Sequence, residues 1–182
     1  MVQPFGVLDG IIYKRGEFSM SMDTEILGMP MEEIVKKYFN TVYRLALSQT
    51  KNKADAEDIT QDVFVRLLQN KKPFSSQEHI KAWLLRVTIN RSLSLFSTAW
   101  HKRTQALTEE IPFDSPEKSD VYYAVLQLPP KYRAVIHLFY YEDMSVSEIA
   151  KILKRNESTV KSQLHRARTI LKSKLKGEYD YV

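Results

Sequence analysis

The sequence predicts an all-α protein made of two small helical domains joined by a flexible acidic linker. Apolar residues recur at helical spacing in both halves, and most of the seven prolines fall between the periodic segments. Thr104–Asp120 has no such period and carries five acidic residues and one lysine, a net charge of −4. We therefore expect an accessory or disordered extension at 1–29, a first domain at 30–103, the linker at 104–119, a second domain at 120–176 and a tail at 177–182.

The composition excludes several classes of protein. The 182 residues contain no cysteine, which removes disulfides, thiol nucleophiles and zinc–thiolate sites. No apolar run approaches the roughly 18 residues of a membrane span, and the amino terminus does not read as a signal peptide. We expect a cytoplasmic protein that has no catalytic residues, metal or cofactor and binds no small-molecule substrate.

The extension raises the question of where translation begins. Lys14-Arg15-Gly16-Glu17 is what a purine-rich ribosome-binding sequence would encode if it were translated, and it precedes Met20 and Met22. The sequence leaves Met1, Met20 and Met22 as alternative starts.

The first domain begins with two predicted helices, one from Pro30 to about Gln49 and one from Ala54 to about Gln69. The core face of the second helix contains Ala56, Ile59, Val63 and Leu67. Its opposite side is lined by Asp58, Gln61, Val65 and Leu68. Two branched apolar residues on that side indicate either a protein contact or ordinary scattered surface residues, and the pattern does not decide between them.

A third helix is predicted from Ser76 to Trp100, with a capping box formed by Ser75 and Glu78. It is apolar on two sides, which places it in the middle of a bundle. One apolar side has Ile80, Leu84 and Val87, and the other has Leu85, Ile89, Leu93 and Phe96. A narrow polar stripe runs between the two sides: Trp83, Arg86, Asn90, Ser94, Ser97 and His101. Such a stripe either binds unpaired bases or is simply solvated.

The second domain is predicted to contain helices at Asp120–Leu128 and Lys131–Tyr141, followed by a helix–turn–helix at Met144–Leu171. Ser145 and Glu148 form a capping box, and Asn156 is placed to cap the last helix. One face of that helix is apolar, with Val160, Leu164, Ala167 and Leu171. The other face is polar and cationic, which suits a DNA major groove or, more simply, solvent.

The charge distribution favours the DNA interpretation. Lys131–Lys176 contains eleven lysines and arginines and four acidic residues, a net charge of +7. A basic module behind an acidic connector is the layout of a tethered polyanion-binding domain.

Several motifs, in order, resemble the sigma-70 superfamily, and most closely its extracytoplasmic-function group. In the first half they are Asp55-Ala56-Glu57-Asp58, Gln61-Asp62-Val63-Phe64, Trp83-Leu84 and Asn90. In the second half they are Leu128-Pro129, Glu148-Ile149-Ala150, Thr159-Val160-Lys161-Ser162 and Leu164-His165-Arg166-Ala167-Arg168. The sequence departs from the family at Lys154, where the turn usually has glycine, and at Ser94, where an aspartate is frequent.

The resemblance implies a sigma-two-like domain, a sigma-four-like domain and a promoter-recognition subunit without catalytic activity. It assigns core-polymerase binding, on the clamp helices of the largest subunit, to Asp55, Asp58, Gln61, Asp62, Phe64, Val65 and Leu68. It assigns the single-stranded −10 element to Trp83, Arg86, Asn90, Ser94, Ser97 and His101. It assigns the −35 element to Arg155, Ser158, Thr159, Lys161, Ser162, His165 and Arg166. It also implies an anti-sigma partner, which is often membrane-anchored in relatives.

Two other functions fit parts of the sequence. A stand-alone helix–turn–helix repressor would account for the basic domain but leaves the first three helices without a role, and it would usually be a dimer. A metal-dependent nuclease would use Asp55, Glu57 and Asp58 as ligands, but acidic residues in a first helical turn more often complement the helix dipole.

Overall fold

The computed structural model of the protein describes residues 25–100 and 120–179, with the side chains of 96–100, 120 and 176–179 left out. Within those ranges the chain forms one short antiparallel hairpin and seven α-helices, which confirms the all-α prediction. The predicted linker at 104–119 and residues 1–24 lie outside the described ranges.

The hairpin precedes the first helix and was not predicted. Its strands are β1 (Glu25–Ile26) and β2 (Met29–Pro30), joined by Leu27 and Gly28. Both loop residues have positive φ, 57° and 71°, as in the two-residue turns that match the twist of paired strands. Such a φ is costly for leucine, and Leu27 is also exposed.

The first bundle consists of α1 (Met31–Thr50), α2 (Lys53–Leu68) and α3 (Gln77–Trp100). The Asn52 side chain caps α2 by accepting a 2.9 Å hydrogen bond from the Asp55 amide. The predicted Ser75 cap of α3 is wrong, because it is the Ser76 hydroxyl that accepts from the His79 amide, at 3.2 Å. The largest fully buried members of the core are Ile34, Phe64, Leu67, Ile80 and Leu84.

The second bundle consists of α4 (Asp120–Leu126), α5 (Pro130–Tyr140), α6 (Val146–Leu153) and α7 (Glu157–Tyr179). The last helix extends beyond its predicted end at Leu171. Its predicted apolar face is confirmed, since Val160, Leu164 and Ala167 are all buried. They pack with α5 and α6 residues that include Val135, Ile136, Leu138, Ile149 and Ile152.

The two bundles are in direct contact. Leu45 of α1 and Leu85 and Ile89 of α3 belong to the same apolar cluster as the core of the second bundle. The two apolar sides predicted for α3 therefore serve different cores, because Ile80 and Leu84 pack inside the first bundle. The linker prediction did not anticipate this packing.

Candidate nucleic-acid interface

The exposed face of α7 is positioned by the helix before it. At the start of α6 the Ser145 amide donates to Glu148 Oε2 at 2.8 Å, and the Glu148 amide donates to Ser145 Oγ at 3.3 Å, which confirms the predicted capping box. The Ser145 side chain and backbone hold the pKa of the Glu148 carboxyl below its ordinary range, so this carboxylate stays ionised at neutral pH. The capping box fixes where α6 begins and hence how it meets α7.

The turn between α6 and α7 is made by Lys154, in the left-handed conformation with φ of 51°. The Arg155 amide closes it by donating to the Ala150 carbonyl at 2.9 Å. Lys151, Lys154 and Arg155 line a cleft at this turn together with Ser147 and Asn156. Glu157 also lines the cleft, but the three cations outnumber its one carboxylate, so the cleft at the start of α7 suits a phosphate group.

All seven residues predicted to read the −35 element are exposed on or just before α7: Arg155, Ser158, Thr159, Lys161, Ser162, His165 and Arg166. Arg166 also lies near Tyr132, since the Arg166 side chain is the main cause that lowers the pKa of the Tyr132 phenol. Arg168, two residues on, instead donates to the Tyr140 hydroxyl at 2.9 Å and lies over the rings of Phe139 and Tyr140. Both arginines are exposed and neighbour a tyrosine of α5, and Arg168 in addition packs over aromatic rings of α5.

The residues of the predicted −10 stripe lie in different environments. Asn90 and Ser94 are exposed on α3, whereas Trp83 is half-buried and packs edge-on against Phe74, with ring centroids 5.9 Å apart. Arg86 is turned toward the second bundle and donates to the Lys151 and Ile152 carbonyls at 2.8 and 3.0 Å. The side chain of Ser97 and all of His101 lie outside what the structure describes.

Phe74 is a neighbour of this stripe that the sequence analysis missed. It lies in the loop before α3, half-buried, and contacts both Trp83 and His79. The sequence does hold a clue to Phe74: it is an aromatic residue in an otherwise polar loop that precedes Trp83.

Most residues of the predicted polymerase-binding face of α2 are exposed or partly exposed, with one exception. Asp58 and Val65 are exposed, and Asp55, Gln61 and Leu68 are partly so. Phe64 is a correction: it is 2% exposed and fills the first core, so it cannot touch a partner without unfolding the bundle. The helical period explains the error, because Phe64 follows the core residue Val63 and precedes Leu67.

Asp62 of the same face is paired within the chain. Its Oδ2 lies 2.7 Å from Arg66 Nε on α2 and 2.6 Å from Arg91 Nε on α3. The carboxylate therefore ties α2 to α3, and a partner would meet Asp62 as part of a charge network.

The described residues contain no group of three or more His, Asp or Glu side chains placed to hold a metal ion. No helix in the described ranges is long and apolar enough to cross a membrane.

Sequence profiles place both halves of the chain among known proteins. The profile of Sigma-70 region 2 matches residues 34–102, and that of Sigma-70, region 4 matches residues 118–171. The RNA polymerase sigma factor SigV of Bacillus subtilis is 32% identical over 143 residues, covering 75% of this chain and 85% of SigV. The ECF RNA polymerase sigma factor SigW of the same organism is 30% identical, covering 79% and 88%.

A longer relative and a solved structure give the same fold assignment. The ECF RNA polymerase sigma factor SigE of Mycolicibacterium smegmatis is 32% identical, and the match spans 61% of its length. The sigma factor RpoE of Bartonella quintana, solved in complex with the anti-sigma factor NepR, has a TM-score of 0.65 at 22% identity, covering 80% of this chain and 96% of RpoE.

Proposed function

Since this chain belongs to the extracytoplasmic-function group of the sigma-70 family, we propose that it directs core RNA polymerase to its promoters and has no catalytic activity of its own. The observation that carries the proposal is the exposed cationic face of α7, held in place by the α6 capping box. A helix of this kind enters the major groove with its first turns.

Lys161, Ser162, His165 and Arg166 read the −35 element in this proposal. Arg166 is the best candidate for a base contact, because a guanidinium offers two donors to guanine O6 and N7 and the side chain is exposed on α7. The turn before α7 contacts phosphate through Lys154 and Arg155, and this contact sets the register of α7 on the duplex.

The −10 element is captured on α3 as a single strand. Asn90 and Ser94 offer exposed polar groups, and the Phe74–Trp83 pair offers aromatic surface at the amino-terminal end of the stripe. Stacking of unpaired bases on aromatic rings supplies affinity that depends little on sequence, while the polar groups supply selection.

Core polymerase binds the α2 face of Asp55, Asp58, Gln61, Val65 and Leu68. Exposed acidic groups around two exposed or half-exposed apolar side chains form a small interface that a basic and apolar partner helix can cover. We also propose an anti-sigma partner for this chain, since RpoE of Bartonella quintana was solved with one. A cytoplasmic location is part of the same proposal, because core polymerase and promoter DNA are there.

The α2 assignment is tested by charge reversal. Asp58→Lys places a cation on the proposed polymerase face, and we expect core polymerase to bind at least about tenfold more weakly, the loss of one good interfacial interaction. Glu57→Lys is the matched control: it reverses the charge one residue away, at an exposed position that forms a long 3.8 Å ion pair with Lys53.

Affinity for core polymerase is measured by fluorescence anisotropy with labelled protein. Weakening of similar size in both variants would show that net charge, and not this face, governs binding. Retention of full affinity by Asp58→Lys would remove the α2 face from the proposal.

A further inference from the structure

The cleft in the turn between α6 and α7 has more positive charge than one duplex phosphate requires. Its volume is about 330 Å³, at the lower end of the range for small-molecule sites. Lys151, Lys154 and Arg155 line it together with the carboxylate of Glu157, which leaves a net charge of +2. A phosphate of duplex DNA carries one negative charge, so the cleft suits a ligand with more charge than a single backbone contact supplies.

A fourth cation comes from the first bundle. Arg86 of α3 donates to the Lys151 and Ile152 carbonyls at 2.8 and 3.0 Å, next to the residues that line the cleft. These carbonyls belong to the carboxyl-terminal end of α6, where the negative end of the helix dipole would repel an anion. Arg86 neutralises that end and raises the net charge at the cleft to +3.

The packing of the two bundles keeps that arginine in place. Arg133 of α5 donates to the Ser48 and Gln49 carbonyls at the end of α1, at 2.6 and 3.2 Å. Lys81 Nζ of α3 lies 2.8 Å from Glu142 Oε2, in the segment after α5. With the shared apolar cluster, these contacts hold α3 against the second bundle, so the fourth cation is already beside the cleft before any anion binds.

The start of α7 supplies hydrogen-bond donors to the same cleft. The Asn156 carbonyl accepts from the Thr159 and Val160 amides at 3.0 and 3.2 Å. The amides of Glu157 and Ser158 precede these and have no intrahelical acceptor, as is general for the first turn of a helix. They also carry the positive end of the α7 dipole, so they can donate to the oxygens of an anion.

Lys154 brings its charge to the cleft from an unfavourable backbone conformation. Its φ of 51° is costly for a residue with a Cβ, and its side chain is exposed. The cleft therefore gains a cation at a position where the backbone alone would favour glycine.

We propose that this cleft binds a free oligophosphate, a chain of phosphate groups such as inorganic triphosphate or the triphosphate of a nucleotide, and that bound oligophosphate competes with duplex DNA for α7. Such a chain carries several negative charges and matches the four cations better than one phosphate does. The competition rests on the proposed function, because it takes the turn as a phosphate contact on DNA. Binding of the oligophosphate itself does not rest on it.

Direct binding is measured by calorimetric titration of the full chain with inorganic triphosphate, and with sulfate at the same ionic strength. We expect triphosphate to bind saturably and more tightly than sulfate. Lys154→Ala should weaken triphosphate binding about tenfold, the loss of one hydrogen bond to a charged group, and Lys154→Arg should retain it. Lys172→Ala is the matched control, because it removes an exposed lysine from the same helix, roughly 22 Å along the axis from Glu157.

Two results of this titration would overturn the proposal: triphosphate binding no tighter than sulfate, or equal weakening by Lys154→Ala and Lys172→Ala. The second result would mean that net charge alone attracts the anion. A parallel titration with ATP distinguishes the sources of the phosphate chain. Tighter binding of ATP than of triphosphate identifies a nucleotide as the ligand, and equal or weaker binding identifies the inorganic chain.

Competition is measured by fluorescence anisotropy with a labelled DNA duplex of mixed sequence. At a triphosphate concentration ten times its Kd, a shared site raises the apparent Kd for the duplex about tenfold. Sulfate at the same ionic strength gives the effect of screening alone. Triphosphate that binds but displaces no more duplex than sulfate does would refute the competition. Neither assay uses polymerase, so failure of the sigma-factor proposal would appear separately, in transcription.

Discussion

Lys154 carries backbone strain at the point where α6 turns into α7. Its φ of 51° belongs to the left-handed region, which costs a residue with a Cβ roughly 1–2 kcal/mol. In the family, glycine usually stands at this place in the turn. The protein therefore retains, at a cost in stability, a lysine that lines the cationic cleft at the turn.

Lys154→Gly is expected to raise the free energy of unfolding by about 1 kcal/mol, because relief of the strain exceeds the roughly 0.5–1 kcal/mol of extra chain entropy that glycine loses on folding. Lys154→Ala removes the same charge and keeps the Cβ, so its stability should stay close to that of the wild type. Urea denaturation followed by circular dichroism measures both. A glycine variant no more stable than the alanine variant would mean that the turn is unstrained.

Some residue assignments follow from sequence and others cannot. Ser145 and Glu148 were found because a capping box is a local pattern, decided by residues three apart. Phe64 was misassigned because a motif aligned by sequence does not report which way a side chain points. Arg133 was overlooked because its partners Ser48 and Gln49 lie some 85 residues away, and the contact exists only in the packed chain.

At the scale of the element, α7 divides its arginines between two tasks. Arg166 faces outward from α7, while Arg168 is held by Tyr140 on α5. The two residues have the same charge and lie on the same helix, so they form a matched pair for separating DNA reading from packing.

Arg166→Ala is expected to weaken binding to a −35 duplex by at least about fivefold and to reduce the salt dependence of the affinity by about one counterion. Arg168→Ala should change DNA affinity much less and should instead lower the thermal stability of the second bundle, since it loses a hydrogen bond and a cation–π contact. Titrations at several salt concentrations, beside thermal melts, distinguish the two. If Arg168→Ala weakened DNA binding and Arg166→Ala lowered thermal stability, the DNA-reading face would lie on the other side of α7.

The long helix α3 shows what the spacing of apolar residues can and cannot predict. Its two apolar sides were read from the spacing of Ile80 and Leu84 on one side and Leu85 and Ile89 on the other. The spacing correctly predicted that these four residues are buried, but not against what. It was wrong for Leu93 on the second side, which is 43% exposed. The second side packs on the carboxyl-terminal bundle, and only the tertiary arrangement supplies that partner.

At the scale of the molecule, the two bundles meet through Leu45, Leu85 and Ile89, two arginine contacts and one ion pair. The two proposed DNA-binding surfaces therefore differ in accessibility. The −35-reading face of α7 is exposed, whereas Arg86 of the α3 stripe is hydrogen-bonded to carbonyls at the end of α6.

Run-off transcription with core polymerase on a genomic promoter library, with and without the protein, decides whether this chain makes core polymerase promoter-specific. We expect discrete promoter-initiated transcripts that require both components and that Arg166→Ala reduces. The absence of promoter-specific transcripts, together with tight binding of a palindromic duplex by a dimer of the protein alone, would instead indicate a stand-alone repressor.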